Sequence, residues 1–127
     1  MRKARAEDIS IILELITENP ETLLPRSKQE IKELLDTTWV VDEEGKVMGS
    51  CCLEVYSKKI CEVRTLAVKQ EARGKGYGKL LVEAAVSEAN RLGIPQILTI
   101  TSTPEFFEKL QFSHDLKEKY ALFWRAK

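Results

Sequence analysis

Between Glu62 and Leu81 the sequence reads EVRTLAVKQEARGKGYGKLL, and its residue types suit two kinds of chemistry. Gly74, Gly76 and Gly78 alternate with Lys75 and Tyr77, between Arg73 and Lys79. Glycines at the junction of a strand and a helix let the backbone approach a ligand closely and adopt φ > 0. A helix that opens there offers unpaired N–H groups and the positive end of its dipole. Arg73 to Lys79 is therefore a candidate anion site, suited to phosphate. Glu62 and Arg64 stand two apart on the preceding strand, so their side chains share a face. Isoleucine, leucine and valine surround them. A carboxylate in that setting suits general-base work, and a strand ion pair with Arg64 is the plain structural alternative.

Spacing sorts the loop among phosphate binders. The P-loop pattern G-x-x-x-x-G-K-[ST] fails, because Arg73 occupies its first glycine and Leu80 its Ser/Thr. The dinucleotide pattern G-x-G-x-x-G fails as well, since Lys79 stands where the last glycine belongs.

These residues need elements to hold them. Arg2 to Ala6 reads as an opening strand. Asp8 reads as the N-cap of a helix to about Glu18, with Ile9, Ile12, Leu13 and Ile16 on one apolar face. Asn19-Pro20 ends it. Glu21 to Arg26 is a loop, and Ser27 to Glu30 has the capping-box pattern for a second helix carrying Ile31, Leu34 and Leu35. Thr38 to Asp42, Val47 to Tyr56 and Ile60 to Val68 read as three antiparallel strands, with turns at residues 43–46 and 57–59. The longest helix is expected from about Gly76 to Leu92, with Leu80, Leu81, Ala84, Ala85, Ala89 and Leu92 inward. Gly93 and Pro95 end it. Gln96 to Thr101 reads as a strand parallel to Ile60 to Val68, because a helix joins the two. A helix with Pro104 at its first position comes next, and the alternating tail Tyr120 to Trp124 reads as a last strand. The expected order is β-α-α-β-β-β-α-β-α-β, an α+β arrangement on a mixed sheet.

Composition bounds the function. The 127 residues read as one domain, 1–127. Twenty basic and 20 acidic residues give zero formal net charge, which argues against nucleic-acid or membrane-surface binding driven by bulk charge. No apolar run approaches the ~20 residues of a membrane span, and MRKARAEDI lacks a signal-peptide core, so a cytoplasmic setting is expected. Cys51, Cys52 and Cys61 have no CxxC spacing, and with His114 as the one histidine no metal site is expected.

A third phosphate-loop pattern fits. Arg73-Gly74-Lys75-Gly76-Tyr77-Gly78 resembles the (Q/R)-x-x-G-x-(G/A) signature of the Gcn5-related N-acetyltransferase (GNAT) family. The element order and the FFEKLQF segment, residues 106–112, extend the resemblance over nearly the whole chain. It implies the GNAT fold: a mixed, mostly antiparallel sheet of about six or seven strands flanked by four helices, with a central βαβ unit. It implies acetyl-coenzyme A as donor, with backbone amides from Arg73 through Gly74, Lys75, Gly76, Tyr77 and Gly78 to Lys79 holding its pyrophosphate. It implies a strand bulge near Leu66-Ala67-Val68 whose amides meet the thioester carbonyl, and a base at Glu62. The family's general-acid tyrosine falls on Phe107, which has no proton to give. Tyr56, Tyr77 and Tyr120 are the substitutes within the chain.

The segments LLPRS, EVRTLAV and LTITSTPEFFEKLQF together are similar to the acetyltransferase domain of N-acetylglutamate synthases. That implies the α-amine of L-glutamate as acceptor, a place in arginine biosynthesis, and the short, stand-alone form of the enzyme. Arg26, Arg64 and Ser102 become candidates for holding substrate carboxylates. Two other classes stay open: a GNAT enzyme for another amine (a peptide N-terminus, a lysine or a small metabolite), and a weakly catalytic acetyl-coenzyme A-binding module. The alternating tail leaves a homodimer open.

Overall fold

From Val47 to Leu53 no charge interrupts the chain, and all seven residues are buried. Such a run suits a strand covered on both faces. In the computed structural model, which describes residues 1–19, 26–114 and 117–126, this run is the middle of β3 (Lys46–Val55). β3 is the central strand of a sheet ordered β1-β2-β3-β4-β5. Its partners are β1 (Arg2–Lys3), β2 (Thr38–Glu43), β4 (Ile60–Val68) and β5 (Gln96–Leu98). β1 to β4 pair antiparallel, and β4 pairs β5 in parallel. The expected mixed sheet and its βαβ unit are present, with five strands among the described residues rather than six or seven.

Helices cover both faces. α1 (Ile9–Thr17) and α2 (Lys28–Glu33) bury Ile12, Leu15, Ile16 and Ile31 with Val40, Val47 and Ala67 of the sheet. α3 (Tyr77–Arg91) buries Leu81, Val82, Ala85 and Ala89 on the other face, against Trp39, Val41, Cys51, Leu53, Cys61 and Val63. Leu53 and Leu81 are fully enclosed, each contributing about 1.5–3 kcal/mol. α4 (Pro104–Glu108) closes the α3 layer through Phe107.

Several sequence expectations change. Asp8 takes the N-cap position of α1 but its side chain caps no helix amide: it closes a 3₁₀ turn (Ala6–Asp8), accepts from the Arg5 backbone N–H at 2.7 Å, and is held by Arg2 at 2.7 and 3.1 Å. The capping box at Ser27 forms as expected, with Ser27 Oγ accepting from Glu30 N–H and Glu30 Oε1 from Ser27 N–H, both at 3.2 Å. Leu80 and Leu92 are exposed, so the α3 stripe is narrower than the apolar pattern. The last strand of the βαβ unit stops at Leu98 instead of Thr101, because its pairing with β4 ends at Glu62↔Leu98. Residues 117–126 form no strand, and Tyr120, Leu122, Phe123 and Trp124 are exposed, so the tail adds nothing to the sheet among the described residues. Most of the loop at residues 21–26, including Leu23 to Pro25, lies outside the described residues.

Two irregularities of β4 and its neighbours break the regular ladder. Across β3 and β4, Ser50 faces Ala67 while Cys52 faces Arg64, so β4 carries one extra residue at Thr65-Leu66. Thr65 has φ +53°, a left-handed conformation that costs a β-branched residue of order 1–3 kcal/mol. Beyond Glu62 and Leu98, β4 and β5 part, and Thr99 Oγ1 donates to Val63 O at 3.1 Å where a ladder bond would otherwise stand.

Candidate active site

The parting strands open a cleft of about 780 Å³. β4 from Glu62 to Val68 lies along it. Thr99 to Thr103, Phe106 and Phe107 form one wall, the glycine loop lies at one end, and Asn19 and Arg26 close the side beneath α1 and α2. Glu62, Leu66, Ala67, Val68, Arg73, Gly74, Gly76, Tyr77, Gly78, Lys79, Arg26, Arg64 and Ser102 all line this one cleft. Lys75 does not: its ammonium turns outward to Glu43 at 3.2 Å.

The loop's shape explains its glycines. Gly74 and Gly76 have φ +85° and +82°, with open space where a Cβ would sit, so conformation and not crowding requires them. Gly78 is favoured by contact, because a Cβ there would stand 3.2 Å from the tip of the Phe106 ring and the ring would have to shift. The first helical bond of α3 runs from Leu80 N–H to Gly76 O, at 3.2 Å. The N–H groups of Tyr77, Gly78 and Lys79 therefore have no carbonyl within the helix and point out of its positive end. Two tethers hold the loop. Arg73 donates to Asn19 Oδ1 at 3.3 Å, and the Tyr77 hydroxyl donates to Glu43. Those bonds from Tyr77 and Lys75 hold the Glu43 carboxyl below its usual range.

At the other end stand four charged groups and a tyrosine. Glu62 is buried and faces Glu54 directly across the β3–β4 pair. Like charges opposed in this way repel, and Arg64 separates them: its Nη1 donates to Glu54 Oε1 at 2.9 Å, while its Nε lies 3.8 Å from Glu62 Oε1. The Tyr56 hydroxyl donates to Glu62 Oε1. Burial and the Glu62 carboxylate push the Tyr56 hydroxyl up to about 12, so it stays protonated at neutral pH. Arg26 reaches in from before α2. Its side chain is only 7% exposed, and its contacts are long: 3.6 Å from Nη1 to Glu30 and 3.6 Å from Nη2 to Glu54. Arg26 Nη2 is the one fully buried side-chain nitrogen or oxygen among the described residues that has no hydrogen bond.

Glu54 was not singled out from the sequence. The turn at residues 57–59 carried a signal, because folding the chain about Lys58 sets 54 against 62. Tyr56 stood only among substitute acids. Phe107 is buried against Phe106 and Phe112, and Tyr120 is exposed in the tail, so Tyr56 is the substitute that reaches Glu62.

Comparison with known proteins agrees with this geometry. A family model described as an acetyltransferase (GNAT) domain matches residues 35–114. An uncharacterized N-acetyltransferase of Chlorobaculum tepidum is 35% identical over 123 residues, covering 94% of this chain and 79% of its own length. An amino-acid acetyltransferase of Mycobacterium tuberculosis is 29% identical over 117 residues, 89% of this chain and 67% of that protein. The crystal structure of N-acetylglutamate synthase from Neisseria gonorrhoeae, complexed with coenzyme A and N-acetyl-glutamate, superposes with a TM-score of 0.80 at 26% identity. It covers 86% of this chain, which spans 27% of the synthase chain.

Proposed function

The chain belongs to the GNAT acetyltransferase family and takes its acetyl group from acetyl-coenzyme A; we propose that the acceptor is the α-amine of an acidic amino acid, L-glutamate or a close relative. The observation that carries this reading is Arg26, a largely buried cation in the lining of the cleft whose Nη2 has no hydrogen bond. Leaving such a donor without a hydrogen bond costs about 1–3 kcal/mol, which an acceptor carboxylate drawn against the guanidinium would recover. Arg64, with Nη1 on Glu54 and Nε beside Glu62, offers Nη2 to a second carboxylate, and Ser102 lines the same cleft. The synthase neighbour, solved with N-acetyl-glutamate, supports the same choice. That acceptor would place the reaction in arginine biosynthesis.

The residues divide the work. Acetyl-coenzyme A supplies a thioester carbonyl and a thiolate leaving group. The amides of Arg73 to Lys79 receive its pyrophosphate. The bulge at Thr65-Leu66 takes β4 out of register with β3, and the amides of the stretch Leu66-Ala67-Val68 would meet the carbonyl oxygen as it gains charge. Glu62 takes a proton from the acceptor's ammonium. The neutral nitrogen then attacks the carbonyl carbon, the C–S bond breaks, and coenzyme A leaves as thiolate. A thiol of ordinary pKa, about 8.5, leaves without an acid, which fits a chain with Phe107 in the acid's place.

The test is Arg26→Met. It should raise KM for L-glutamate about tenfold or more while leaving KM for acetyl-coenzyme A within twofold. An unchanged acceptor KM would remove Arg26 as the carboxylate site. A second reading, a weakly catalytic module that binds acetyl-coenzyme A, rests on Phe107. Tight coenzyme binding without turnover of any amine would favour it.

A further inference from the structure

Glu62 has two carboxylate oxygens, and the protein treats them differently. Oε1 accepts from the Tyr56 hydroxyl and lies 3.8 Å from Arg64 Nε. Oε2 has no hydrogen-bond partner among the described residues. Glu62 as a whole is buried, with its open side on the cleft. A carboxylate free to spin about its last torsion would present either oxygen to an incoming ammonium, in a broad range of orientations.

We propose that Tyr56 is a positioning residue for the acetyl-transfer step: it holds Glu62 Oε1 so that Oε2 alone faces the acceptor's nitrogen. The proposal rests on the reading of Glu62 as base. Four features of the site favour it. Tyr56 comes just after the end of β3, where its backbone N–H donates to Ile60 O at 3.2 Å, so the phenol is anchored by the hairpin itself. Its hydroxyl stays protonated at neutral pH, because burial, and then the Glu62 carboxylate it would face, disfavour a phenolate, so it remains a donor to Oε1. Arg64 Nη1, 3.5 Å from the Tyr56 oxygen and bonded to Glu54, closes the other side of the same oxygen pair. Tyr56 is about half exposed and is not among the residues that line the cleft, so it positions the base without filling the cleft.

The step it serves balances simply. The ammonium N–H bond breaks and its proton passes to Oε2, leaving the nitrogen's electron pair for attack. Tyr56 keeps its own proton throughout. It is thereby distinguished from a general acid, which would give its proton to the departing sulfur.

A double-mutant cycle tests this, measured with acetyl-coenzyme A and whichever amino acid of a glutamate, aspartate and glutamine panel is acetylated fastest. Tyr56→Phe keeps the ring and removes only the hydroxyl. It should lower kcat about tenfold and leave both KM values within twofold. In a Glu62→Gln background the same change should cost nothing further, because a residue that acts through Glu62 has nothing left to position. Full kcat in Tyr56→Phe overturns the proposal. So does an equal loss in the Glu62→Gln background, which would make Tyr56 an independent group, and so does a loss carried by acceptor KM. The Glu62→Gln variant alone reports on the base: if it retains full activity, the base assignment falls, and the positioning role falls with it.

Discussion

Arg64 Nη1 donates to Glu54 Oε1 at 2.9 Å, and that same oxygen lies 3.6 Å from Arg26 Nη2. One carboxylate thus sits between two guanidinium groups at the acceptor end of the cleft. It satisfies Arg64 and leaves Arg26 short of a bond. The consequences for the two arginines differ.

Arg64→Ala should raise acceptor KM about tenfold, with KM for acetyl-coenzyme A unchanged. It should also lower stability by about 1–2 kcal/mol, since Glu54 loses a charge-assisted donor and faces Glu62 unshielded. Steady-state kinetics and urea unfolding measure the two effects. Acceptor kinetics equal to the unaltered protein would take Arg64 out of the acceptor site.

Gly76→Ala should weaken coenzyme A binding about tenfold and leave acceptor KM alone. Space is available for the methyl group, so the penalty is the left-handed conformation, about 1–2 kcal/mol. Relaxing that strain would turn the N–H groups at the start of α3 away from the pyrophosphate. Calorimetric titration with coenzyme A checks it, and unaltered affinity would show that the loop geometry is not what binds.

Asp8→Asn should cost about 2–3 kcal/mol at neutral pH, because it strips a buried carboxylate of its charge beside Arg2. The Arg2 hydrogen bonds hold the Asp8 carboxyl below its usual range. A depressed carboxyl contributes stability that is full above its unfolded value and is lost as pH falls through the folded value. The gap in Tm between the two proteins should therefore be full at pH 6–7 and shrink below about pH 3.9. A gap that is the same at every pH would mean the loss is packing and not charge.

Gln111→Gly should stabilise the chain by up to about 1 kcal/mol. Gln111 has φ +72° at the end of α4, where Phe112 N–H bonds back to Phe107 O at 3.0 Å. Glycine adopts that conformation without the Cβ clash, partly offset by its freer unfolded state. Thermal unfolding tests it, and a lower Tm would mean that the Gln111 side chain contributes more than its backbone costs.

How much of the molecule is legible in its sequence depends on the range of each signal. The glycine loop, the capping box at Ser27 and the strand-helix-strand crossover are local patterns, and each is found where it was expected. Asp8 shows the limit of local reading: its position suits a cap, but its partner Arg2 is brought in by the pairing of β1 with β2. The β4 bulge is expected near Leu66-Ala67-Val68, and its extra residue lies at Thr65-Leu66, at the start of that stretch, a place set by register against β3. The nearness of Glu54 and Tyr56 to Glu62 depends on the same kind of register, since hairpin pairing and not spacing along one strand carries them there. The tail alternates like a strand, yet pairing needs a free edge in reach, and β5 offers only Gln96 to Leu98.

The central claim, acetyl transfer to an acidic amino acid, is tested most directly by thiol release from acetyl-coenzyme A with L-glutamate, L-aspartate, L-glutamine and L-lysine compared at equal concentration. An acceptor carboxylate held by Arg26 predicts that kcat/KM for L-glutamate exceeds that for L-glutamine by at least about tenfold, with L-lysine poorer still. A preference for L-glutamine or L-lysine would contradict it.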